Sequence, residues 1–376
     1  MSLEARWHAS LGEIEPDAWD ALAGDANPFL RHSFLSGLET TGCLQRGLGW
    51  TPHHLGLWRD GQIVGAAPCY EKTNSHGEFV FDHAWAHAYA RYGLDYFPKL
   101  LCGVPYSPVT GPRLLSPDPA VRRALSDTLA AAAGEDYSSA HVNFAPDTSA
   151  TDFADAWLAR IDVQYHWENR EGWSTFDDFL AAMDHKHRKN IRQERAKVMR
   201  AGVTFRTVHG DEATPADLDA MYRFYLTTFA EYGNRPALTR RFLGHLATSR
   251  SRALVLVLAE REGEAIAGAL CLRGAKTLYG RYWGASELLP GLHFEACYYQ
   301  GIEYCLREGL TRFEPGAQGE HKLARGFLPS LVHSRHFIGD PAFREALSAW
   351  CTDERAAVRA FAERLATATP FKAAPP

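Results

Sequence analysis

The chain repeats itself, and this constrains its fold more than any other feature. His54 to Trp58 reads as a strand, Arg59-Asp60-Gly61-Gln62 as a turn, and Ile63 to Ala67 as the returning strand. Far downstream, Leu254 to Glu260, Arg261-Glu262-Gly263-Glu264 and Ile266 to Ala269 repeat the plan. An acidic residue followed by Gly between β-prone runs is a hairpin signal, because Gly supplies the positive φ that a two-residue turn needs. Gly65 is expected to superpose on Gly268. A second match follows in the same order. Phe79 to Gly93 reads as a strand end and a helix; downstream, Leu278 to Trp283 reads as a strand and His293 to Glu308 as a helix closing on Gly309. Gly93 and Gly309 both suit the position just past a helix C-terminus. Ordered recurrence predicts a tandem duplication, with part of an insertion in the loop Gly284 to Gly291.

A length of 376 residues exceeds the usual single core, in keeping with two domains. The expected limits are 1–170 and 171–340, the boundary lying near Glu168 to Gly172. Residues 341–376 are expected to form a C-terminal helix with a frayed tail from Phe371. The first half opens with a strand near Ala5 to Ala9 and helices near Pro16 to Leu22 and Ser33 to Thr41. After its hairpin comes a strand at Lys99 to Val104. The second half opens with Ser174-Thr175-Phe176-Asp177 as a capping box. A strand at Val203 to Val208 and helices at Pro215 to Tyr232 and Leu238 to Thr248 follow. The fold class is α/β (α+β), two similar domains each with a mixed central sheet.

Composition excludes several functions. A net charge of -5 and a pI near 6.4 argue against general nucleic-acid binding. Seven cysteines with no C-x-x-C pair fit free thiols better than a disulfide framework. The start has no apolar signal region and no apolar run approaches the roughly 20 residues of a membrane span, so a cytoplasmic protein is expected.

The order strand, two helices, hairpin, third strand, helix, strand resembles the GNAT acyltransferase fold, and its duplication resembles the FemAB-like branch. Several stretches are similar to bacterial FemAB-like proteins of peptidoglycan biosynthesis or recognition. They include Asn27-Pro28-Phe29-Leu30, Pro105-Tyr106-Ser107-Pro108-Val109-Thr110-Gly111-Pro112-Arg113 and His187-Arg188-Lys189-Asn190-Ile191-Arg192. Tyr279-Gly280-Arg281-Tyr282-Trp283-Gly284, Leu292 to Gln300 and Phe313 to Lys322 are the most specific. The resemblance runs from about Pro28 to Pro329. It implies an N-acyltransferase acting on an amine acceptor, small molecule or peptide, such as one related to peptidoglycan. A module that keeps the fold to recognise a peptide or glycan without catalysis is the alternative, and an acyl-CoA-dependent acetyltransferase is another.

By analogy with that fold, the donor lies where two strands splay apart, here between Gly280–Gly284 and Arg312–Gly316. Backbone donors there would stabilise an oxyanion, and a base would deprotonate an incoming ammonium. Glu314, Glu295 and His321 are the candidate bases. Glu314 stands where an apolar residue would ordinarily continue a buried strand, whereas Glu295 near a helix start is favourable to the helix dipole in any case. Arg281, Lys322 and Arg325 are candidates to bind a phosphate or carboxyl group. Tyr282, Trp283 and Tyr299 are candidates for a ligand wall, and Thr110 and Arg113 for a substrate cradle in the first half. Each of these has a plainer reading, as surface charge, core aromatic or rigid turn.

Asp184 to Arg200 carries seven Lys/Arg against two carboxylates, with Ile191 and Val198 as a narrow apolar stripe. A solvated basic face is the plain reading, and a tRNA or nucleotide contact the functional one. No Q/R-x-x-G-x-G/A pyrophosphate cradle stands where a strand meets its helix, which turns the expectation from acyl-CoA toward aminoacyl-tRNA as donor. His83 and His87 have a zinc-compatible spacing, but no third ligand motif accompanies them, and no metal is expected.

Overall fold

The computed structural model describes residues 3–170, 172–317 and 319–372. Glu171 of the expected boundary, Gln318 of the Phe313 to Lys322 motif, and residues 373–376 of the expected tail lie outside them. The chain forms two compact units, 1–163 with 331–361, and 164–330 with 362–376. It leaves the first unit at Val163, inside a strand, a few residues before the polar stretch at Glu168.

The first unit contains β1 (Glu4–His8), α1 (Pro16–Ala23), α2 (His32–Thr40), β2 (Trp50–Pro52), β3 (His54–Arg59), β4 (Gln62–Ala67) and β5 (Cys69–Lys72). Then come α3 (His83–Arg91), β6 (Lys99–Cys102), α4 (Pro119–Glu135), β7 (Ser139–Ala145) and the start of β8 (Leu158–Glu168). The second unit takes the rest of β8, α5 (Phe176–Ala182), α6 (His185–Arg200), β9 (Thr204–His209), α7 (Pro215–Glu231) and α8 (Arg240–Ser249). Its sheet adds β10 (Leu254–Arg261), β11 (Glu264–Arg273) and β12 (Thr277–Ala285). A helix follows as α9 (Leu292–Phe294), a π turn (Glu295–Tyr299) and α10 (Gln300–Arg307), then β13 (Arg312–Glu314). The chain ends with β14 (Leu328–Ile338), which pairs with β7, and α11 (Pro341–Thr367), whose residues to Phe361 belong to the first unit.

Both hairpins form. Asp60 and Gly61 have φ of 51° and 78°, and Glu262 and Gly263 have 55° and 84°. Left-handed geometry at both central residues makes each a type I′ turn. A bulge falls between Leu57 and Trp58 in one hairpin and between Ala259 and Glu260 in the other, the same distance from the turn. Counted from turn and bulge, Gly65 occupies the place of Ala267, so the expected match to Gly268 is one residue out. The glycines serve opposite faces: a Cβ on Gly65 would meet Val121 of α4 at 2.4 Å, and one on Gly268 would meet Met221 of α7 at 2.9 Å.

The second expected match is also corrected. α3 connects β5 to β6, which are antiparallel. The crossover between parallel strands is α4, joining β6 to β7 with Leu100 opposite Ala140. Its counterpart in the second unit is the α9–α10 helix, joining β12 to β13 with Thr277 opposite Arg312. Gly93, at φ 71°, ends an inserted helix. The duplication thus rests on the parallel β–helix–β crossover in each unit. The second unit has one six-stranded sheet in the order β8-β13-β12-β11-β10-β9; in the first, β1-β3-β4 stand apart from β2-β5-β6-β7-β14.

Two local expectations shift. The capping box is Thr175 with Asp178, one residue on from Ser174. The tail is tied down as far as Lys372: Phe371 stacks on Trp173 at 5.7 Å, and the Lys372 amide donates to the Ala182 carbonyl at 3.0 Å. Aromatic burial there outweighs end fraying.

Candidate active site

β13 pairs with β12 over three residues only, ending at Tyr279 opposite Glu314. Pro315 follows and has no N–H to extend the ladder. β12 runs on to Ala285 against β11, with a bulge that leaves Arg281 between the paired residues Gly280 and Tyr282. A Cβ on Gly280 would sit 3.2 Å from the Pro315 Cα, so glycine permits the close approach at the mouth of the gap. A cavity of about 70 Å³ lies there, lined by Cys271, Gly280 to Trp283, His293, Cys297 and Pro315 among others.

Glu314 ends β13 buried. Its Oε1 lies 3.0 Å from Arg312 Nε, and its Oε2 accepts no hydrogen bond among the described residues. Burial pushes its carboxyl up to about 7, against the opposing pull of Arg312 and Arg281. Arg312 also donates to His166 Nδ1 at 2.6 Å, and burial together with Arg312 holds that imidazole well below its usual range. His166 is therefore neutral, its Nε2 4.0 Å from Glu314 Oε2. Burial also works against the charge of Arg281, with Tyr282 and Glu314 favouring it. Lys322 is buried, donates to the Gly316 carbonyl at 2.8 Å and is lowered to about 8 by burial and by Arg281, with Cys297 acting the other way. Arg281 thus acts on the charge of both Glu314 and Lys322 at the end of the splayed pair.

Other candidates are placed elsewhere. Glu295 is buried in the π turn, gripped by Arg195 of α6 at 3.0 to 3.2 Å and by Gln300 at 2.8 Å. Both oxygens are occupied by these contacts. Arg325 donates to Glu194 at 2.6 Å and lies 3.4 Å over the Phe294 ring, while Tyr299 donates to the other oxygen of Glu194. Arg325 thus ties the loop after β13 to α6, and Tyr299 ties the π turn to the same carboxylate. His321 is solvent-exposed and hydrogen-bonded to Tyr298 at 2.9 Å, with burial and the Arg325 and Lys322 charges lowering its pKa. Tyr282 packs edge-on against Tyr225 at 4.9 Å, and the Trp283 ring meets His293 at 5.3 Å.

In the first unit the β6–β7 ladder ends at Cys102 opposite Val142. From the loop after β6, Arg113 donates to the Asn143 carbonyl just beyond, at 2.9 Å, and to the carbonyls of Val109 and Gly111 at 2.6 and 3.0 Å. Thr110 offers its carbonyl to Asn27 at 3.2 Å. The loop is thus self-braced, the Arg113 donors going to backbone carbonyls because a buried guanidinium must satisfy its donors locally.

His293 and Cys297 line the gap without having been singled out from sequence; burial lowers His293 to about 4 and raises the Cys297 thiol. Arg312 was legible in principle, since residues two apart on a strand share a face. On α6, Ile191 and Val198 are buried as expected, Arg195 turns inward, and Arg188, Lys189, Arg192 and Arg200 line an open groove. Among the described residues no cluster of three or more metal-ligating side chains occurs, and no helix is long and apolar enough to cross a membrane.

A duplicated unit whose parallel strands part behind a crossover helix is the tandem GNAT-like fold that the sequence led us to expect. The chain belongs to the FemAB-like family, described as peptidoglycan biosynthesis/recognition, whose model matches residues 10–373. No curated protein sequence matches it. Among solved structures it is similar to FemX (TM-score 0.52, 13% identity, covering 92% of this chain and 99% of that one). It is also similar to L-PGS from Bacillus licheniformis (TM-score 0.53, 12% identity, covering 89% and 96%). At such identities the likeness concerns the fold.

Proposed function

We propose that the second unit transfers an acyl or aminoacyl group from an activated ester or thioester donor onto an amine. The observation that carries this is Glu314, a buried carboxyl raised to about 7 beside Arg281 where β12 and β13 part. An amine enters as ammonium. Glu314 accepts one proton, and the free amine attacks the donor carbonyl carbon. Backbone donors in the gap and the Arg281 charge stabilise the oxyanion. The N–C bond forms as the C–O or C–S bond breaks, and the departing oxygen or sulfur takes up the second proton. Lys322 supplies positive charge to the donor's anionic part.

Transfer is assigned to the second unit because the corresponding point of the first is filled by Arg113. The family description favours a peptidoglycan-related or peptide amine as acceptor. The missing pyrophosphate cradle favours an aminoacyl ester over acyl-CoA, with the basic face of α6 as the contact for its nucleic-acid part. Glu314→Gln tests the reading: turnover should fall about 100-fold or more, the range for a general base, with the melting temperature kept. Full turnover in the variant contradicts it.

A further inference from the structure

A second space, in the first unit, has no part in this chemistry. A cavity of about 390 Å³, within the size range of small-molecule sites, opens between α3, the end of β7, the start of β8, β14 and α11. Phe79, Phe81 and Trp350 border it, and all three belong to the few large apolar side chains that stand exposed in this chain. Two residues on its wall also hold unfavourable backbone conformations. Phe79 and Phe144 have φ of 60° and 56°, and neither sits in a two-residue hairpin turn as Asp60 and Glu262 do. Strained non-glycine residues of this kind gather at ligand sites.

The polar groups define what the cavity would take. Arg160 donates to both oxygens of Glu354, at 2.7 and 2.6 Å, and to the Phe81 carbonyl at 3.0 Å. Its guanidinium also lies 5.0 Å from the Trp85 ring centre and 5.1 Å from that of Trp350. A cation is thus already seated on the rings, and its charge is already neutralised. An anionic ligand gains nothing from this neutralised pair and meets the Asp162 carboxylate on the same wall. Trp85 is 2% exposed, yet its indole N–H meets no acceptor among the described residues. Asp162 and Ser334 add further hydrogen-bonding groups to the lining. The fitting ligand is uncharged or at least not anionic, has an apolar face for the exposed rings and carries hydroxyl donors for the Asp162 carboxylate.

We propose that this cavity is a binding site for a neutral saccharide, one pyranose face stacking on Phe81 and Trp350 and a hydroxyl donating to Asp162. The site stands apart from the transfer gap and does not depend on the function proposed for it. Calorimetry and tryptophan fluorescence on the full chain, with di- to tetrasaccharides of glucose, mannose and N-acetylglucosamine, test it. At least one series should bind saturably with Kd of about 1 mM or tighter. Phe81→Ala, at an exposed position that the fold tolerates, should weaken it about tenfold, as should Trp350→Ala. Absence of saturable binding across the series overturns the proposal. So does binding that Phe81→Ala leaves unchanged, or binding of choline or glucose 6-phosphate at this cavity in place of the neutral sugars.

Discussion

Arg195 of α6 closes on Glu295 of the π turn, its Nε and Nη2 reaching the carboxylate at 3.0 to 3.2 Å while Nη1 reaches Glu303 at 2.8 Å. This clamp sets the helix whose His293 and Cys297 line the gap. Removing one partner of a buried pair leaves the other charge unsatisfied. Arg195→Ala should therefore cost about 2–3 kcal/mol in denaturant unfolding, a figure discounted for the partial exposure of Arg195. Arg195→Met with Glu295→Gln should recover part of it. Loss of turnover in Arg195→Ala without loss of stability would instead make Glu295 a participant in the chemistry.

The close packing of α7 on β12 gives a second test. A Cβ on Gly284 would lie 1.9 Å from the Phe224 carbonyl oxygen, a backbone atom that cannot swing away. Gly284→Ala should destabilise by about 3 kcal/mol, at the high end for overpacking, whereas Gly309→Ala meets no neighbour and pays only for its φ of 67°. Equal melting temperatures for the two variants would refute the packing account.

The groove on α6 tests the donor contact. Lys189→Glu, Arg192→Glu and Arg200→Glu combined should weaken binding of a tRNA acceptor-stem RNA about tenfold or more and flatten its salt dependence. The melting temperature should hardly move, because these side chains are exposed. Binding that survives the triple change places the contact elsewhere or removes it.

The parts read correctly from sequence were those with local physical signatures. Asp60-Gly61 and Glu262-Gly263 announced their turns because left-handed φ demands such residues. Ile191 and Val198 announced the buried stripe of α6. The equivalence of Gly93 to Gly309 failed because a helix C-cap looks alike after an inserted helix and after a crossover; only strand pairing separates α3 from α4. Glu314 was visible as a carboxylate in an apolar strand. The engagement of Glu295, Arg325, Tyr299 and Arg113 was not, because their partners lie far away in sequence or are backbone carbonyls. The π turn left no pattern that helical periodicity could reveal.

The most direct test of the transfer mechanism is the pH dependence of kcat/KM in the wild type and in Glu314→Gln. Glu314 acts as base only when ionised, so activity should rise with pH through about 7. Lys322 gives charge only when protonated, so activity should fall again above about 8, a limb that Lys322→Met abolishes. Stability follows the same carboxyl with the opposite sense. Its folded pKa lies above the unfolded value, so its contribution declines as pH rises from about 4.5 to about 7 and then levels. A bell with limbs near 7 and 8 is expected, whose acidic limb vanishes in Glu314→Gln together with about 100-fold of the rate. An unchanged acidic limb in a folded Glu314→Gln variant would contradict it.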